Sequence, residues 1–323
     1  MFKVLSIDGG GIRGVIPARI LVEVEERAGK PMADMCDLFI GTSTGGIIAA
    51  GLTAPGNKKA KPKFSAADML ALYVDRGHEI FHRSLWDGVT NIGGLTDELY
   101  DEAPLEKLLK KYLGNTTLRD CLKPVVITAY DIERREPYLF KTRRALEEDE
   151  RNHYMRDAAR ATSAAPTYFE PEVVKSLSKP AVSRALVDGG VYLNNPSLAG
   201  YFEAISMGQK HDDLLVASFG TGIATRKIPF EDARDWGKLG WVQPIISVMM
   251  DGQADSADHH LGLTLSSSGA DQRYFRFDKE LRDGLDDMDA ANRSNILGLL
   301  SEAEAIIDRQ GAEIDKLVEQ LLK

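Results

Sequence analysis

Residues 38–46 read LFIGTSTGG: a short apolar run, then a serine framed by glycines. Glycines at such positions mark a turn too tight for side chains, or a backbone that another group approaches closely. GTSTG at 41–45 also fits G-x-S-x-G, in which a sharp strand-to-helix turn lifts a serine hydroxyl above a sheet. With three fixed positions the pattern is common by chance, so a plain strand–helix corner competes with a nucleophile elbow built on Gly41, Ser43 and Gly45. The next run, IIAAGL, favours the elbow. It is small and apolar enough for a buried helix, whose N-terminal N–H groups and dipole would face an oxyanion formed at Ser43.

The same strand-then-glycine pattern recurs along the chain. FKVLSI at 2–7 runs into DGGGIRG at 8–14, RALV at 184–187 into DGG, and LLVASF at 214–219 into GTG. PVVITAYDI at 124–132 and PYLFKT at 137–142 also read as strands and are candidates for pairing. Helical spacing follows Pro17 up to Gly29, occupies about 65–76 and 104–113, and runs through MRDAARATSAA to Pro166. It returns over about 238–264 and from 289 to the end. This alternation predicts an α/β fold with a mostly parallel sheet covered on both faces. No repeat, low-complexity stretch or long linker interrupts it, so a single domain over 1–323 is expected. Its core is at about 2–222, with a helical C-terminal region at about 236–323.

The chain has 323 residues, 43% of them hydrophobic, with a net charge of −9. That charge argues against a nucleic-acid polymer as partner. Cys36 and Cys121 cannot make a disulfide framework and are expected as buried thiols. No Cys/His cluster suggests a metal. MFKVLSIDGGG lacks the shape of a signal peptide and no run of about 18 apolar residues occurs, so a cytoplasmic location is expected. The sequons at Asn115 and Asn292 are read as chance.

In sheets of this kind ligands gather at the carboxyl ends of strands. GGGIRG at 9–14 satisfies the dinucleotide fingerprint G-x-G-x-x-G as text. Against that reading, Asp8 would oppose a pyrophosphate, and Asp34 and Asp37 precede the second strand rather than close it. The competing use is an oxyanion hole of backbone N–H groups from Gly9, Gly10 and Gly11, with Arg13 adding positive potential. For a base, His78, His82, His153, His211, His259 and His260 all lack such a turn context and read as structural; His78 and His82 have the spacing of a metal pair but no carboxylate motif. Asp188 ends a strand at a DGG turn made by Gly189 and Gly190. Read alone it is a turn former; near Ser43 it would serve as a general base without histidine.

With these pieces placed, the sequence resembles a patatin-like phospholipase. The resemblance rests on DGGGIRG at 8–14, GTSTGG at 41–46, ATSAAPTYF at 161–169 and DGGVYLNNP at 188–196. It continues through SFGTG at 218–222 and WGKLGW at 236–241, closer to the plant-type patatins than to the shorter neuropathy-target-esterase type. It implies a three-layer α/β/α sandwich and a Ser–Asp dyad, with Ser43 as nucleophile, Asp188 as base, and Gly9, Gly10, Gly11 and Arg13 building the oxyanion site. It further implies hydrolysis of fatty-acyl esters of phospholipids, lysophospholipids or galactolipids with no metal or cofactor. Transient contact with a membrane is expected, and WVQPIISVMM at 241–250 is a candidate wall for an acyl channel or an interfacial surface. Some bacterial relatives of this type are effectors switched on by cyclic nucleotides in anti-phage defence; the sequence displays no such control site.

Overall fold

Five short runs are apolar at nearly every position, and a chain buries such runs by placing them in a sheet with both faces covered. They are β1 (Phe2–Ile7), β2 (Leu38–Gly41), β3 (Val125–Asp131), β7 (Leu214–Phe219) and β8 (Tyr274–Phe277), all mutually parallel. Three antiparallel strands complete one side: β4 (Glu136–Lys141), β5 (Glu172–Lys175) and β6 (Ser183–Asp188). The order is β5-β6-β3-β2-β1-β7-β8, with β4 also on β3. This is a computed structural model, and it describes residues 1–57, 60–81, 100–265 and 272–323.

Side chains alternate between two cores, as the pleat demands. Leu5, Ile7, Phe39, Leu215, Ala217 and Phe219 face one, while Val4, Leu38, Ile40, Leu214 and Val216 face the other. The first core is covered by α1 (Val15–Ala28), α2 (Thr44–Thr53), α3 (Ala66–Ile80), α4 (Ala103–Leu113) and α5 (Met155–Thr162). α6 (Ser197–Ser206) and the C-terminal end of α7 (Lys238–Thr264) cover the second, through Tyr201, Ala204 and Leu261. α8 (Arg293–Arg309) and α9 (Gly311–Leu321) return to the first face, where Leu299, Ile306 and Leu317 are buried. They are tied to α1 by Arg19 Nε–Glu304 Oε1 at 2.7 Å and Arg27 Nη1–Asp315 Oδ1 at 2.8 Å. The result is the three-layer sandwich the sequence predicts, with a mixed sheet whose parallel strands form one continuous block.

Local signals explain the element ends. α1 stops at Gly29, whose φ of 64° no branched residue adopts easily and whose N–H bonds Glu25 O at 2.8 Å. Ser65 and Asp68 cap α3 reciprocally. α2 is apolar all round and wholly buried, which makes it a core helix rather than a surface one. The expectation misses two strands. EVVK in β5 carries charge at both ends, and YFRF in β8 is four residues long, so neither offers a periodic signal. Of the two histidines at metal-pair spacing, both expected as structural, His82 lies outside the described residues.

Candidate active site

The sheet register brings two distant turns together. Ala129, Tyr130 and Asp131 of β3 pair with β4 across one edge and with β6 across the other. Val126 and Ile127 pair with β4 and, on the opposite edge, with β2. β2 and β6 therefore share one edge of β3, end to end. Because β2 runs parallel to β3 and β6 antiparallel, their C-terminal ends point at each other across Thr128. Gly41 stands opposite Ile127 and Asp188 opposite Ala129. That is two residues along β3, roughly 7 Å at the usual strand rise.

Ser43 follows this end of β2 at φ 53°, ψ −122°, a conformation unusual for a residue with a Cβ, which costs on the order of 1–3 kcal/mol and persists only where surrounding bonds enforce it. Those bonds are present. Ser43 N donates to Thr162 Oγ1 at 2.8 Å, Thr42 Oγ1 donates to Leu193 O at 2.6 Å, and Thr128 Oγ1 donates to Thr42 Oγ1 at 2.9 Å. Gly45 lets α2 start against β1: a Cβ there would run into the Ile7 carbonyl. Thr44 opens α2, where the leading N–H groups have no acceptor within the helix.

The Asp188 carboxyl accepts Gly190 N–H at 2.7 Å and lines the same cavity as the Ser43 side chain. Burial pushes its pKa up to about 7, a shift that the nearby Ser43 hydroxyl and the Gly190 N–H oppose. Ser43, Asp188 and Gly11 line a cavity of about 60 Å³ whose walls are otherwise mostly apolar. Ile246 and Met250 of α7 contribute to it, so the 241–250 stretch does form part of a wall.

The glycine run is held in place by its own backbone. Asp8 N bonds Phe219 O at 3.0 Å, Ile12 N bonds Met288 O at 2.8 Å, and Thr221 Oγ1 donates to Gly9 O at 2.7 Å. Gly11 sits at φ 58° with Met288 O where a Cβ would be, so glycine is required there. Two of the expected donors are engaged elsewhere. Gly9 N–H donates to Asn194 O at 3.0 Å, and Arg13 turns its guanidinium toward Gly222 O at 3.4 Å. Of the remaining glycines Gly11 lines the cavity, as does Thr44 at the start of α2. Asp8 itself is neutralised by Arg276 Nη2 at 2.7 Å, and Arg276 also reaches Asp278 Oδ2 at 2.7 Å and Ser218 Oγ at 2.8 Å.

The sequence points to Ser43, Asp188 and the glycine turns, and the fold gathers them. It gives no sign of Thr162, Arg276 or Met288 as their supports, since nothing in local spacing links positions more than a hundred residues apart. His153 is structural: its ring Nε2 lies 2.9 Å from Tyr138 Oη, and burial lowers its pKa to about 4. Cys36 and Cys121 are free thiols, Cys36 buried and Cys121 half-buried.

A family model described as patatin-like phospholipase matches residues 5–199, which include the turns at 8–14, 41–46 and 188–190. Patatin-like protein 2 of Oryza sativa subsp. indica is 32% identical over 349 residues, covering 98% of this chain and 86% of the relative. Patatin-like protein 2 of Arabidopsis thaliana is also 32% identical, covering 98% and 85%. The crystal structure of VipD from Legionella pneumophila is a more distant likeness, with 10% identity, a TM-score of 0.43, and coverage of 94% of this chain and 67% of that one. With the family model spanning more than half of the sequence and plant relatives aligning along nearly all of it, the chain belongs to the patatin-like phospholipase family.

Proposed function

We propose that this protein hydrolyses fatty-acyl esters of membrane lipids through a dyad of Ser43 and Asp188. The observation that carries the reading is a strained serine and a buried carboxylate, brought together by the sheet register, lining one apolar cavity. Asp188, with a pKa near 7, takes the Ser43 proton as Oγ attacks the ester carbonyl. Negative charge develops on the carbonyl oxygen, facing the amides of Gly10, Gly11 and Thr44; one such donor is worth about 3 kcal/mol. The C–O bond to the alcohol breaks, and the alcohol leaves with the proton held by Asp188. Water then attacks the acyl-Ser43 ester by the same route, releasing the fatty acid and restoring both side chains.

The substrate lies in a membrane, and α7 offers a surface for reaching it. Trp241, Ile245, Val248 and Met249 are exposed at helical spacing while Ile246 and Met250 of the same helix turn into the cavity. Among the described residues no helix is long and apolar enough to cross a membrane, so the contact proposed is peripheral. The reading is tested by incubating wild type and Ser43→Ala with a panel of phospholipids, lysophospholipids and galactolipids and following released fatty acid by mass spectrometry. Release by wild type and none by the variant supports it; equal release by both would sink it.

A further inference from the structure

A second void of about 20 Å³ adjoins the first, lined by α2, α3, α4 and Phe64. The two share four wall residues, Ile47, Tyr73, Ile80 and Leu105, so one continues where the other ends. Each exceeds the ~10–15 Å³ that one water-sized group needs. The inner void is lined by Met69, Leu72, Leu108 and Leu109 beyond the shared wall. Among the described residues its polar neighbour toward the site is the Tyr73 hydroxyl, which already donates to Thr44 O at 3.0 Å and accepts from Thr44 Oγ1. A dry site whose polar groups are satisfied internally suits alkane and excludes water. Phe64 and Tyr112 also line it, with ring centroids 5.4 Å apart, and Lys63 Nζ sits 4.9 Å above the Phe64 ring.

Resting on the reading of Ser43 as nucleophile, we propose that this inner slot receives the methyl end of the acyl chain and sets the chain length the enzyme prefers. The acyl group runs from Ser43 past Ile47 and Tyr73 into the slot, while the alcohol portion leaves on the α7 side, toward Ile246 and Met250. Selectivity then resides in Met69 and Leu108, remote from the reacting atoms. Short acyl groups end before reaching these side chains; long ones press against them.

The test compares hydrolysis of p-nitrophenyl butanoate and hexadecanoate by wild type, Met69→Phe and Leu108→Ala. Filling the slot with Met69→Phe should lower the ratio of kcat/KM for hexadecanoate over butanoate by at least about tenfold, with butanoate held within about threefold of wild type, because one or two methylenes are worth that much in an apolar pocket. Carving it with Leu108→Ala should move the ratio the other way, which keeps the idea testable even if the first variant folds poorly. Ratios unchanged in Leu108→Ala and in folded Met69→Phe, or an equal loss on both esters, overturn the slot. A separate arm measures binding of butanoate and hexadecanoate to Ser43→Ala with and without Met69→Phe by calorimetry. Loss of the preference for hexadecanoate supports the slot even where hydrolysis itself fails, and retention refutes it while leaving Ser43 untouched.

Discussion

At the residue scale, Asp188 is the group whose chemistry depends most on its surroundings. Burial holds its pKa near 7, against 3.8 for an unperturbed aspartate, so its base form is half-populated near neutrality. kcat/KM for a soluble ester should therefore rise with pH and reach half its plateau at about pH 7, read from a rate profile at low substrate. Asp188→Asn should flatten that profile and lower kcat/KM to within about tenfold of Ser43→Ala, because partners in one catalytic unit are not additive. Linkage gives a second reading of the same shift. A carboxyl whose folded pKa is raised stabilises the fold fully below the unfolded value of 3.8, and that contribution is lost as pH rises through about 7. The midpoint of thermal unfolding of Asp188→Asn should then exceed that of wild type by more at pH above 7 than at low pH. Ser43 and Asp188 were legible because each occupies a glycine turn after an apolar run. Their pairing was expected only from the family resemblance, since it depends on which edge of β3 each strand occupies, and hydrogen-bond register leaves no mark on local composition.

At the scale of elements, β8 contributes what its four residues conceal. Arg276 reaches across to Asp8, Asp278 and Ser218 and so anchors the strand end from which the glycine loop springs. Removing one partner of a buried pair leaves the other charge uncompensated, a loss of about 3–5 kcal/mol. Arg276→Ala should accordingly lower the urea midpoint sharply, and Asp8→Asn in the same chain should recover part of it; additive effects would dismiss the coupling. α7 carries a different burden, with one face toward the cavity and another open. Replacing Val248 and Met249 by Asp should reduce co-sedimentation with phosphatidylcholine vesicles several-fold while leaving hydrolysis of a soluble butanoyl ester nearly unchanged. Long periodic helices such as α1 and α7 were readable from spacing, whereas β5 and β8 were not, because their pairing partners supply the information that four residues lack.

For the molecule as a whole, α1 is the bridge between the first and last parts of the chain. Its outer side is covered by α8 and α9, and Leu299 is fully buried there. Leu299→Ala should cost about 2–5 kcal/mol, the range for a large aliphatic side chain deleted from a core, measured by denaturant unfolding. The layered architecture followed from alternating strands and helices, since an apolar run of that kind has few other ways to be buried. The mixed character of the sheet did not, because a parallel and an antiparallel central strand present the same apolar face.

The sharing of one β3 edge by β2 and β6 has a practical outcome. The exposed turn at 133–135 joins β3 to β4, so a cut there would leave Ser43 on one fragment and Asp188 on the other. Under the proposed mechanism neither piece would act alone, and β3 would have to slide between β4 and β6 before turnover resumed. A pair of such halves, fused to two proteins that meet, would convert their encounter into colour from a chromogenic ester.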